Sequence, residues 1–109
     1  MRIDMKRNSL IAIMTLLSIS VIPAVAQQTG EATYKAKCAM CHGADGAGDT
    51  AIGKTMKLRS LKAPGDVKET NAELFKQTKD GVGKMQGYAG KLTDPQIQDV
   101  VSYIRTLQK

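Results

Sequence analysis

The sequence predicts an all-α fold of three to four short helices. Three observations carry that prediction. Thr70-Asn71-Ala72-Glu73 and Thr93-Asp94-Pro95-Gln96 are capping boxes. In each, a threonine and an acidic or amide residue three positions on satisfy each other's orphan backbone donors. Ile97, Val100, Val101 and Ile104 recur at helical spacing and must face a core. Nowhere after residue 26 do apolar and polar residues alternate as in a half-buried strand.

The first 26 residues read as an export signal, outside the fold. Arg2, Lys6 and Arg7 form a basic start, Leu10 to Ile22 an apolar run, and Ala24-Val25-Ala26 a small-x-small cleavage site. The run has 13 residues, short of the roughly 20 that a membrane-spanning helix needs. An uncleaved anchor is the alternative. The remainder, Gln27 to Lys109, is one domain of 83 residues. At that size a polypeptide core rarely supplies more than about 3–5 kcal/mol, and natural chains add a staple.

Along this domain the first helix is expected from Gly30 to Cys41. Glu31 suits its positive end, and Tyr34, Cys38 and Cys41 share a stripe. Gly43 to Gly48 is loop. It follows a helix and precedes no lysine-serine pair, so it is not a phosphate cradle. Residues 49–66 read equally as a helical turn or an extended stretch, with Met56, Leu58 and Leu61 as apolar contacts. A helix is expected from Asn71 to Lys79, ending at Gly81. Gly81 to Lys91 is loop, and the last helix runs to Leu107. Pro95 sits in its first turn, where a missing donor costs nothing.

Chemistry concentrates in Cys38-Ala39-Met40-Cys41-His42. C-x-x-C-H is the attachment pattern of a c-type haem. On a helix, positions three and four apart share a face. Both cysteines can then reach the two vinyl groups of one porphyrin, and His42 can aim a ring nitrogen at its iron. His42 is the only histidine, and there are only two cysteines. That leaves a zinc site two ligands short. A thioredoxin-like dithiol lacks its βαβ context, and a disulfide in an exported chain is the remaining alternative. Covalent attachment by this motif happens outside the cytoplasm, so the export signal and the motif support each other.

A sixth iron position would take a soft thioether, which raises the reduction potential and suits electron transfer. Met40 lies between the anchoring cysteines and points away from the iron. Met56 and Met85 remain. Met85 lies in the glycine-rich Gly81 to Tyr88 loop just before the last helix and is the expected ligand. Met56 is the alternative, only fourteen residues after His42.

These residues resemble a class I cytochrome c, in particular the small single-haem bacterial members, over essentially the whole domain. Gly30 and Tyr34 match the family's first-helix glycine and aromatic, and Tyr103 the aromatic of the last helix. The segment from Gly83 to Thr93 resembles the Met-ligand loop. The resemblance implies the cytochrome c fold wrapped around one covalently bound haem c. It implies thioethers at Cys38 and Cys41, His42 and Met85 as axial ligands, a periplasmic location and single-electron shuttling. Two departures stand out. No proline occurs between Gly43 and Ala63, and Gln86 follows Met85 where the family often has proline. The acceptor for the His42 ring N–H is therefore expected to be a backbone carbonyl near Ile52.

The domain holds 13 Lys and Arg against 9 Asp and Glu, too small an excess to argue for nucleic acid. Expected partners are a redox donor and acceptor, with membranes met only through them, and the chain is expected to be a monomer. Lys35, Lys37, Lys54, Lys57, Arg59, Lys62, Lys84 and Lys91 could form a rim for an acidic partner. Ordinary solvated surface is the reading we favour. Two competing functions are an electron-accepting subunit of a periplasmic dehydrogenase or oxidase, and a five-coordinate haem enzyme. The enzyme needs a polar distal group, for which Arg59 and Arg105 are the weak candidates.

Overall fold

A computed structural model of the chain describes residues 29–63 and 65–108. The expected leader and its cleavage after Ala26 lie outside the described residues. Five helices are present among the described residues: α1 (Gly30–Lys37), α2 (Ala39–His42), α3 (Ala51–Met56), α4 (Asn71–Asp80) and α5 (Asp94–Leu107). They contain no strand, only isolated bridges between Val82 and Met85 and between Ala89 and Leu92. The all-α class holds. The number of helical segments exceeds the expected three to four, because the first helix is split and α3 exists.

The crossing of α1 and α5 organises the molecule. At Gly30 a β-carbon would run into the backbone carbonyl of Asp99, so glycine lets the two helix backbones touch. One turn on, Tyr34 packs its ring against Tyr103, with centroids 5.2 Å apart and the planes tilted by 55°. Tyr34 is fully buried, and its hydroxyl donates to the Gly43 carbonyl at 2.7 Å. That bond tethers the loop after α2 to the helix crossing. Thr29 caps α1 by accepting from Ala32 N–H at 3.2 Å.

Both predicted capping boxes are present. Thr70 accepts from Glu73 N–H at 3.2 Å while Glu73 accepts from Thr70 N–H at 2.7 Å. Thr93 and Gln96 repeat the exchange at 3.3 and 2.8 Å. The apolar stripe of α5 faces inward as its spacing requires. Val100, Val101 and Ile104 pack with Tyr34, Leu61, Val67 and Leu74, and Ile97 packs with Tyr88 and Leu92. Each buried aliphatic side chain contributes about 1.5–3 kcal/mol.

Two expectations change. The helix expected to reach Cys41 stops at Lys37. Cys38 departs from ideal helical geometry at φ −114°, and the N–H groups of Cys41 and His42 both return to the Cys38 carbonyl, at 3.2 and 3.0 Å. The motif thus starts its own short turn, α2. The ambiguous 49–66 stretch resolves into α3 followed by irregular chain. Thr50 caps α3 by accepting from Gly53 N–H at 2.8 Å. Lys57 ends it in the left-handed region at φ 54°, at a cost of about 1–2 kcal/mol for a residue with a β-carbon.

Candidate functional site

A cleft opens between the motif turn, α3, the 82–86 loop, α4 and α5. It has two lobes, of about 240 and about 330 Å³. Cys38, His42, Met56, Leu58, Lys84 and Met85 line both lobes, so they form one continuous space. Cys41, Lys37, Gln86 and Tyr88 line only the larger lobe. The smaller lobe runs inward to Leu61, Leu74, Val100 and Ile104 of the core.

The four residues singled out in the sequence therefore converge, although they come from two segments over forty positions apart. Cys38 and Cys41 are half-buried free thiols, not a disulfide. Burial, and then the neighbouring Cys41, push the Cys38 thiol up to about 11. The motif is braced from the far side. Thr50 donates its hydroxyl to the Cys41 carbonyl at 2.8 Å, and Gly48 N–H donates to the His42 carbonyl at 2.7 Å.

His42 carries the most informative atom. Its Nδ1 is buried and has no hydrogen-bond partner. The acceptor expected near Ile52 is not used, because Ile52 lies in the first turn of α3, where carbonyls point along the helix axis. Burial, and then the charge of Arg59, hold the imidazole below its usual value. It is neutral at physiological pH, the form that ligates metal.

The Met85 loop is built by backbone contacts. Gly81 and Gly87 meet face to face, and a β-carbon at Gly81 would sit 2.8 Å from the Gly87 nitrogen. Between them Val82 and Met85 exchange N–H to carbonyl bonds of 3.1 and 2.9 Å, which makes a tight turn. The returning limb is pinned to the end of α4, with Tyr88 N–H on the Thr78 carbonyl and Ala89 N–H on the Lys79 carbonyl, at 2.9 and 3.0 Å. Tyr88 then reaches across to α1 and donates to the Lys37 carbonyl at 3.1 Å. These bonds fix the loop next to the motif without the proline common after such a methionine.

The donor set suits a metalloporphyrin held through thioethers. Two separate thiols, a neutral imidazole with an orphaned buried nitrogen and two methionine sulfurs face one cleft with largely aliphatic walls. No cluster of three or more His, Cys, Asp or Glu able to hold a bare metal ion occurs among the described residues. Sequence reasoning missed the roles of Thr50 and Tyr88, and it placed Arg59 only among rim and distal candidates, whereas Arg59 also lines the smaller lobe. These roles depend on tertiary contacts that leave no local signal.

The fold and this cleft define a class I c-type cytochrome. Residues 25–104 match the family model described as cytochrome C oxidase, cbb3-type, subunit III. Cytochrome c6 of Leptolyngbya boryana is 39% identical over 75 residues, which cover 69% of this chain and 85% of that one. Cytochrome c6 of Thermosynechococcus vestitus is 34% identical over 100 residues, covering 88% and 86%. Among solved structures, the KustC0563 c-type cytochrome superposes with a TM-score of 0.68 at 25% identity, covering 74% of this chain and 99% of that one. Cytochrome c6 of the diatom Phaeodactylum tricornutum shares the fold with a TM-score of 0.56 at 24% identity, covering 71% and 87%. This chain belongs to the small c-type cytochromes of class I. Its cofactor is covalently bound haem c, and it carries electrons; it is not an enzyme.

Proposed function

We propose that this chain is a periplasmic single-electron carrier with one haem c, attached through Cys38 and Cys41 and ligated by His42 and Met85. The observation that carries this reading is the convergence of Cys38, Cys41 and His42 with two methionines on one aliphatic cleft; Met85 is preferred to Met56 for its glycine-rich loop just before the last helix. Export fits the basic, apolar and small-x-small order of residues 1–26.

When bound, haem c supplies a one-electron ferric/ferrous couple. The chain's residues make that couple usable. Cys38, at the N-cap of α2, and Cys41 within it would hold the porphyrin through thioethers. His42 is presented neutral. Its buried Nδ1 would carry the remaining ring N–H. The Gly81–Gly87 contact and the Tyr88 bond to Lys37 hold Met85 against Tyr88, Leu92 and Ile97, which limits its travel between redox states. Leu61, Leu74, Val100 and Ile104 exclude water from the inner lobe. No acid, base or nucleophile is needed.

Electrons would enter and leave through the outer lobe, where Cys41, Lys37 and Tyr88 stand. Of the basic rim, Lys35 is paired with Glu31, Lys54 with Asp49, Lys62 with Asp45 and Arg59 with Glu69. Lys37, Lys57, Lys84 and Lys91 lack a carboxylate partner among the described residues, Lys91 donating to the Gln86 amide oxygen instead, and are the charges that could steer an acidic redox partner. The matched family model is described as an oxidase subunit, which favours a second reading as the electron-accepting subunit of one such complex. Co-purification from native membranes separates the two, since a free carrier does not stay bound.

The ferric absorption spectrum tests the ligation. Wild type should show the weak far-red band of sulfur-ligated iron, and Met85→Ala should lose it while keeping its haem. Retention of the band in Met85→Ala would move the ligand to Met56.

A further inference from the structure

We infer that Gln86 and Lys91 are positioning residues for Met85, joined in a side-chain latch that holds its loop against the cleft. This rests on the ligation proposed above.

The base and the tip of the loop are held by different means. At the base, Gly81 N–H donates to the Gln77 carbonyl at 2.9 Å, and the Gly81–Gly87 contact brings the two limbs together. At the tip, the backbone groups of Val82 and Met85 bond to each other, so the turn is closed on itself and swings as a unit. On the limb that leads back from Met85, neither Gln86 nor Gly87 makes a backbone hydrogen bond among the described residues. Glutamine at position 86 also leaves φ free, where a proline ring would fix it. One side-chain bond crosses this gap: Lys91 Nζ donates to Gln86 Oε1 at 2.9 Å.

The far end of that bond is firm. Lys91 lies in a turn where its own N–H and that of Leu92 both return to the Tyr88 carbonyl, each at 2.9 Å. Its ammonium also stands 5.9 Å from the centre of the Tyr88 ring, within reach of a cation–π attraction. Tyr88 is buried, and its hydroxyl is bonded to the Lys37 carbonyl of α1. It belongs to the cluster against which Met85 packs. Lys91 therefore spans from the wall beside Met85 to the residue that follows it. With no carboxylate partner among the described residues, its ammonium is not drawn elsewhere.

An outside ligand reaches the sixth iron position only when Met85 has left it. The apparent affinity of such a ligand rises with the fraction of chains whose loop has swung out. The experiment titrates the intact ferric haem protein with imidazole and follows the loss of the far-red band. It compares wild type with Gln86→Ala, Lys91→Met, the double variant and Gln86→Glu. Gln86→Ala and Lys91→Met should each bind imidazole about threefold more tightly. That is the lower part of what one intramolecular hydrogen bond contributes, since water competes for both exposed groups. The double variant should bind no more tightly than either single one, because both changes remove the same bond. Gln86→Glu, whose carboxylate accepts more strongly from the same ammonium, should bind imidazole more weakly than wild type. Wild-type affinity in Gln86→Ala, single effects that multiply in the double variant, or a Gln86→Glu that behaves like Gln86→Ala each overturn the latch alone. A wild type without the far-red band, or a Met85→Ala that keeps it, overturns the ligation reading and the latch with it.

Discussion

At the scale of single residues, the buried hydrogen bond from Tyr34 to the Gly43 carbonyl couples the helix crossing to the haem motif. Replacing Tyr34 by Phe leaves that carbonyl buried without its donor and should cost about 1–3 kcal/mol in denaturant unfolding. The same hydroxyl has a pH signature. Burial first, and then the neighbouring Cys38, hold the Tyr34 phenol well above its usual range. The unfolded chain releases this proton near pH 10 and the folded chain does not. Tyr34 therefore contributes stability that is complete below about pH 10 and fades as pH rises beyond it. Unfolding curves at about pH 8 and about pH 11 should show a smaller alkaline loss for Tyr34→Phe than for wild type. An equal loss in both would assign the alkaline sensitivity elsewhere.

At the scale of elements, the helices that announce themselves in sequence are those with a cap and a periodic face. Thr70 and Thr93, with Glu73 and Gln96, mark the starts of α4 and α5, and the structure keeps both boundaries. Thr93→Ala should cost about 1 kcal/mol, read as a shifted denaturation midpoint at unchanged slope. Gly30→Ala should cost more, about 2 kcal/mol, because its β-carbon meets the Asp99 backbone and forces α1 off α5. A Gly30→Ala chain as stable as wild type would mean that the crossing is looser than its geometry. Less was legible between these helices. Six-residue α3 contains Gly53 and lacks a periodic face, so its propensity is weak, and Lys57 in the left-handed region gives no hint in its type. The break at Cys38 was hidden for another reason. The i, i+3, i+4 spacing of Cys38, Cys41 and His42 reads as continuous helix, whereas hydrogen bonds back to Cys38 start a new turn.

At the scale of the molecule, the two core clusters flank the cleft, and neither is large. Tyr34 with six aliphatic residues forms one, and Tyr88, Leu92 and Ile97 the other. A chain of this size with so little packed core should depend on its cofactor for stability. Cys38→Ser/Cys41→Ser, exported without haem, should lose the cooperative thermal transition seen in wild type by circular dichroism. A sharp transition retained in that variant would show that the polypeptide core suffices. The site was more legible than the fold around it. The motif, the single histidine and the two candidate methionines reduced the choice to a handful of atoms. Position in the cleft does not choose between Met56 and Met85, because both line it.

Everything turns on a porphyrin bonded to Cys38 and Cys41. The most direct measurement is a pyridine haemochrome spectrum of the exported protein after denaturing electrophoresis, where only a covalently held pigment survives. Wild type should give the c-type haemochrome spectrum at one haem per chain, lost when both cysteines are changed to serine. A colourless band from wild type, with its two thiols still titratable, would rule out the haem assignment.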